Sequence, residues 1–186
     1  MNEERKRIIS VGQFRELARP TSIHLDESEV EVYVRESEDA SIIPAIGWDL
    51  FKWLTEEEAD KPAAAGTADK TILLDGGSYE DTDRDNYGRE VRIRRWCGGL
   101  RRATAYFTWA RMQRADGNII SRAGAITHRD ERADHTQDSK LRQYNDAVDM
   151  AEKYLSEALY YIKINTKGAQ VKPARGRRAT ITAIGD

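Results

Sequence analysis

The chain has 186 residues, enough for one domain that buries its own core, and its formal net charge of −2 removes any argument from overall charge for nucleic-acid binding. Charged residues reach 33% against 39% hydrophobic, yet four Trp and eight Tyr need packing partners, which excludes a wholly disordered chain. The single cysteine, Cys97, excludes an internal disulfide or a thiolate metal cluster within one chain, and no apolar run suits a signal peptide or a membrane span, so the expected location is the cytoplasm.

Ser10 is a good N-cap for a short helix over 11–18, where Val11, Phe14, Leu17 and Ala18 share one face and Pro20 ends the run. Asp26 caps the next helix. Its inward stripe reads Val30, Tyr33, Val34, Ser37, Ala40 and Ser41, and Glu31, Glu36, Glu38 and Asp39 fall outside it as a solvated face. Ile42 to Gly47 forms an apolar exit. A shorter helix from Asp49 then turns Leu50, Trp53 and Leu54 inward.

Residues 56–69 run acidic and then Ala-rich around Pro62 and Gly66. They read as a flexible connector whose Ala63–Ala68 stretch is dispensable for stability. Thr71 to Leu74 fits a short strand or a helical turn. Residues 75–88 are dominated by Gly, Asp, Asn and Tyr and read as an exposed turn region. From Arg89 to Arg95 the chain alternates, with Val91 and Ile93 on one side and Arg92 and Arg94 on the other, as in a half-exposed strand.

Gly98-Gly99 opens a helix to about Asp116. Leu100, Ala103, Tyr106, Phe107, Trp109, Ala110 and Met112 wrap most of its circumference, which predicts a central buried position. The stretch 119–138 is polar. The last helix runs to about Asn165 on a stripe of Leu141, Tyr144, Val148, Ala151, Leu155, Ala158 and Ile162, roughly 40 Å long and packed antiparallel on the preceding one. After Gly168 comes a basic stretch with Lys172, Arg175, Arg177 and Arg178. Thr180 to Ile184 then alternates like a strand with no partner nearby in sequence.

No constellation assembles a catalytic site. His128, Asp130, Asp134 and His135 resemble a metal site only loosely, because two helical turns separate the histidines and Arg129, Arg132 and Lys140 would repel a cation. Asp81, Asp83 and Asp85 open like a calcium loop, but Arg92 stands where its final glutamate belongs. The glycine pairs at 76–77 and 98–99 lack a phosphate-loop pattern. Catalytic, cofactor and metal residues are therefore expected to be none. The candidate partner-binding residues are Arg92, Arg94 and Arg95 in one basic cluster, and Lys172, Arg175, Arg177, Arg178, Ile181 and Ile184 in the tail.

An acidic N-capped helix ending Ile42-Ile43-Pro44-Ala45-Ile46-Gly47, a variable loop, a helix beginning Gly99-Leu100-Arg101-Arg102-Ala103-Thr104-Ala105-Tyr106-Phe107 and a long terminal helix together resemble the head–tail connector, or head-completion adaptor, proteins of tailed bacteriophages. Phe14 to Ile23, Ala115 to Gly124, Asp138 to Asn145 and the ending Ile184-Gly185-Asp186 resemble an uncharacterised group of prophage proteins from gut bacteria. The resemblance implies a non-enzymatic virion subunit at the head–tail junction. It would form a homo-oligomeric ring below the portal, contact portal and tail-side connector proteins and let DNA pass, with no membrane partner.

The expected fold is mainly α: a bundle of about four to five helices with a long C-terminal helix, a small β element and a strand-like tail. Residues 1–168 form the connector-like domain, with a variable insertion at about 56–95, and 169–186 form the basic tail. The alternative functions are a nucleic-acid-binding accessory protein, using the two basic clusters, and a metal-dependent enzyme, which would need His128 and His135 to converge with distant acids.

Overall fold

The computed structural model describes residues 5–19, 26–115, 118–121, 124–127 and 134–166. They build a mainly helical protein with a long C-terminal helix and small antiparallel hairpins, as the sequence predicts.

Helix α1 (Val11–Leu17) starts at a full capping box: the Ser10 hydroxyl accepts from the Gln13 N–H, and the Gln13 side chain accepts from the Ser10 N–H. Helix α2 (Glu27–Ser37) is capped by Asp26, which accepts from Ser28, and it buries Val30, Val34 and Ser37. The helix then widens into a π turn over Glu38–Ile42, in which the Ile43 N–H reaches back to the Glu38 carbonyl. Helix α3 (Ile43–Ile46) ends at Gly47, and α4 (Trp48–Thr55) buries Leu50, Phe51, Trp53 and Leu54.

The π turn rephases the stripe. Ala40 is exposed and Ser41 half-buried, whereas Glu38 and Ile42 are fully buried. Glu38 was expected on a solvated face; the structure corrects this. Its Oε1 accepts from the Ile8 N–H at 2.7 Å and its Oε2 from Arg5 Nη2 at 3.0 Å. Arg5 also pairs with Asp39 and lies over the Phe51 ring at 5.4 Å. Arg101 Nε donates to the Ile8 carbonyl at 3.2 Å. The N-terminal segment is thereby held across the π turn, and Ile8 and Ile9 enter the core.

Residues 56–69, expected as a flexible connector, are packed instead. Ala63–Ala65 form a 3-10 turn, and Ala65 and Ala68 belong to the core. Lys61 and Lys70 both sit over the Trp53 ring, at 5.4 and 5.7 Å. The far end of the chain completes the loop: the Thr67 N–H donates to the Asn165 carbonyl at 3.1 Å, and the Thr166 hydroxyl donates to the Ala64 carbonyl at 2.8 Å. Between these contacts Gly66 adopts φ 51°, and a Cβ there would lie 2.1 Å from the Asn165 carbonyl oxygen.

Helix α5 (Lys70–Asp75), capped by Asp69, resolves the strand-or-helix choice at 71–74 in favour of helix. The supposed turn region after it is a strand. Strand β1 (Gly77–Arg84) pairs antiparallel with β2 (Glu90–Cys97), in a register that sets Gly77 opposite Cys97 and Arg84 opposite Glu90. The true turn is Asp85–Arg89, where Asp85 Oδ1 accepts from the Tyr87 and Arg89 N–H groups.

Helix α6 (Leu100–Ala115) lies between α2 and the long helix α7 (Asp134–Asn165). Gly98 donates its N–H to Glu157, Tyr106 meets Tyr154, and Arg19 joins Trp109 to Asp146. Contacts that move down α6 thus move up α7, and the two run antiparallel as expected. Of the seven apolar residues expected on the central face of α6, Leu100, Ala103, Trp109, Ala110 and Met112 are buried, while Tyr106 and Phe107 are half-buried. Thr104 and Thr108 are also buried, and their hydroxyls donate to the Leu100 and Thr104 carbonyls, each at 2.8 Å. On α7, Ala147, Ala151, Leu155, Ala158 and Ile162 are buried, but Leu141 is exposed. The polar stretch before α7 contains a second hairpin, β3 (Asn118–Ser121) with β4 (Gly124–Thr127).

Replacing Gly66 with Ala should cost about 2 kcal/mol or more, because strain in φ adds to collision with a helix end. A melting temperature unchanged by Gly66→Ala would show that the 56–69 loop does not pack on α7. Burial pushes the Glu38 carboxyl above its ordinary value of 4.5, against the downward pull of the Ile8 N–H, Arg5 and Arg7. The native state therefore holds this proton more tightly than the unfolded chain does. The group's contribution is complete below the ordinary value and is lost as pH rises through the raised native one. The stability of the wild type minus that of Glu38→Gln should fall as pH rises from about 4 to about 7. A difference that grew with pH would mean that the arginines outweigh burial.

Candidate functional site

The β1–β2 hairpin gathers the described residues of the predicted site on two faces of one ribbon. Side chains alternate across a strand, so Tyr79, Asp81, Ile93, Arg95 and Cys97 point one way and Ser78, Glu80, Thr82, Arg92, Arg94 and Trp96 the other.

The inner face docks on α7. Tyr79 packs against Tyr161 with ring centroids 4.7 Å apart. Asp81 is buried at the centre of a polar cluster: Oδ2 accepts from Tyr160 Oη at 2.7 Å and from Arg95 Nε at 2.6 Å, and Oδ1 accepts from the Thr82 N–H at 2.8 Å. Burial alone would raise the Asp81 pKa, but those donors, with the Arg95 charge, hold it below the ordinary aspartate value. The hydrogen bond to Asp81 and burial push the Tyr160 hydroxyl up, and burial pushes Tyr79 up to about 12. Arg95 also reaches Asp83 at 2.9 Å and lies over the Tyr160 ring at 5.2 Å. Its guanidinium is thus engaged within the chain. Of the three arginines named in the basic cluster, Arg95 is the one whose strand position turns it inward, where two aspartates meet it.

Arg92 and Arg94 do face outward. The Arg92 side chain is 85% exposed, with Glu80 at 4.0 Å, and Arg94 donates to Ser78 Oγ at 2.8 Å. In line with them on the same face, Trp96 is 57% exposed. Toward the tip every residue from Thr82 to Val91 is exposed except Asp85, which is half-buried, and Tyr87 reaches 86%. About 13 Å of strand therefore extends beyond the packed part of the ribbon.

Close backbone contact fixes the base of this arm. Gly99, at φ 86°, sits where a Cβ would lie 2.6 Å from the Gly76 N atom, so the α5–β1 and β2–α6 junctions touch main chain to main chain. These glycines form a joint and not a phosphate loop. Cys97, buried beside it, has its thiol pushed up by burial.

Lys172, Arg175, Arg177, Arg178, Ile181 and Ile184 lie outside the described residues, as do His128 and Asp130. Asp134 and His135 open α7, with side chains outside the described set. Among the described residues no group of three or more His, Cys, Asp or Glu is arranged to hold a metal ion, and no helix is long and apolar enough to cross a membrane. The chain matches no family model, no curated protein and no solved structure.

Asp81→Asn keeps the shape of the central acceptor and removes its charge. It should lower the melting temperature and speed amide exchange over residues 77–84 and 90–97, with little change in α6. Exchange that stayed slow throughout the hairpin would show that Asp81 does not hold the arm to α7.

Proposed function

We propose that this chain is a non-catalytic structural subunit of a phage or prophage head–tail connector, assembling as a ring of identical copies below the portal and joining head to tail in the virion. The observation that carries the reading is the β1–β2 arm. Its inner face is committed to α7, while its outer face and tip present exposed arginines and aromatics. A rigid helical body with a braced, exposed ribbon suits contact between subunits better than chemistry on a small molecule. The resemblance in the Ile42–Gly47 exit, the Gly99–Phe107 helix start and the long terminal helix supplies the identity of the assembly.

One observation favours a second reading. Arg92 and Arg94 stand beside the exposed Trp96, the combination of charge and stacking surface that nucleic-acid strands use. A DNA affinity that falls steeply with salt and is lost in Arg92→Ala/Arg94→Ala would favour an accessory DNA-binding role instead.

In a lysogen that carries the gene, inactivating it should leave filled heads and free tails, and supplying it in trans should rejoin them. Intact infectious particles without the protein would overturn the connector reading. Removing residues 171–186 should leave the melting temperature unchanged and abolish joining, because that segment has strand propensity and basic charge but no apolar stripe to anchor a core.

A further inference from the structure

Two exposed faces of this protein complement each other, and no ion pair among the described residues joins them within one copy. The outer face of β2 carries Arg92, Arg94 and Trp96 at every second residue, a row about 13 Å long. The outer face of α2 carries Glu29, Val32 and Glu36. These positions follow helical spacing and span about 10 Å along the axis.

Val32 is 54% exposed, an apolar residue set between two acids. The other acids on α2 are already matched: Glu27 pairs with Arg15 and Glu31 with Arg7. Among the described residues, Glu29 and Glu36 have no cationic partner. Arg35 points about 100° away from Glu36 around the helix, beside the stripe and not within it. The row on β2 carries the opposite charge, two arginines followed at one end by an exposed indole. Among the described residues its one acid partner, Glu80, lies 4.0 Å from Arg92 in open solvent, where such a pair holds weakly.

We infer that the outer face of the β1–β2 arm of one copy docks on the outer face of α2 of a second copy, with Arg92 and Arg94 meeting Glu29 and Glu36 and the Trp96 indole adding apolar contact at the end of the row. The inference deepens the connector reading and rests on it for its biological setting. Each copy offers one arm and one α2 face, so the contact is heterologous. Contacts of that kind close into rings or run on as filaments. The arm is suited to this use because its root is fixed by Asp81, Tyr160 and the glycine joint, so its outer face is presented in one orientation.

Charge reversal tests the pairing. The full-length protein should self-associate in sedimentation velocity at high concentration in about 0.1 M salt, and less so near 1 M, where the screening length falls to about 3 Å. Arg92→Glu/Arg94→Glu and Glu29→Arg/Glu36→Arg should each weaken self-association by roughly tenfold or more. All four substituted residues are exposed, so thermal melts of the variants should match the wild type. Mixing the two double variants, or combining all four changes in one chain, should restore association because opposite charges meet again. Wild-type association that neither double variant weakens would overturn this interface and leave the connector reading standing. A wild type that remains monomeric at about millimolar concentration would overturn the inference as well, whereas the particle-joining experiment reports on the connector reading separately.

Discussion

A helix buried on most of its sides must give its neighbours room and its own polar atoms partners. Helix α6 meets both demands with alanine and threonine. Ala103, Ala105 and Ala110 let neighbouring helices approach closely, and α7 answers with Ala147, Ala151 and Ala158. Thr104 and Thr108 spend their hydroxyls on the carbonyls one turn back, and Thr108 also meets Ser37 Oγ of α2 at 3.3 Å. Larger residues at these positions would push α2 and α7 outward. The π turn, the N-terminal brace and the 56–69 loop are all registered on those two helices, so the fold depends on this close packing.

The N-terminal brace shows what a single buried charge does here. Glu38 is fully buried, and isolated ionised carboxylates are not tolerated in such places. One oxygen takes a main-chain N–H from Ile8 and the other takes Arg5, so both acceptors are used. The arrangement ties a terminal segment to the helix wall and fixes where α3 and α4 begin. A buried ion pair of this kind adds little net stability compared with a well-packed apolar pair, whereas losing either partner leaves an uncompensated buried charge and is costly.

Much of the fold was legible because the signals were local. The caps at Ser10 and Asp26, the inward Leu50, Trp53 and Leu54, and the alternating three-and-four stripe of α7 are set by residues within a turn or two of each other. The failures share the opposite cause. Strand β1 is hidden by Asp81 and Asp83, residues that disfavour strands, and Asp81 is stabilised by Tyr160, far along the chain. The 56–69 loop was read as free because its partners, Asn165 and Thr166, stand about a hundred positions away. Glu38 was misplaced because a π turn shifts the phase of a helical stripe, and nothing in the local spacing announces one. Of the site, the outward direction of Arg92 and Arg94 followed from strand alternation. The same alternation, counted one residue further, would have turned Arg95 inward.

That parity gives the hairpin two distinct uses of one residue type. On the inner face an arginine between two aspartates and a tyrosine is a fastener: its charge is neutralised locally, and its ring contact holds it in place. On the outer face arginines near a single solvated acid remain available to a partner. A surface contact built from such residues is weak by itself, since each exposed pair contributes on the order of 0–1 kcal/mol. On the ring reading, weakness at each seam is compatible with a stable whole: once most seams are made, the last copy engages two neighbours at once and its effective local concentration is high. The stiffness of the arm then matters more than the strength of any one ion pair, because a ribbon that swung freely would lose that gain to the entropy of fixing it at every seam.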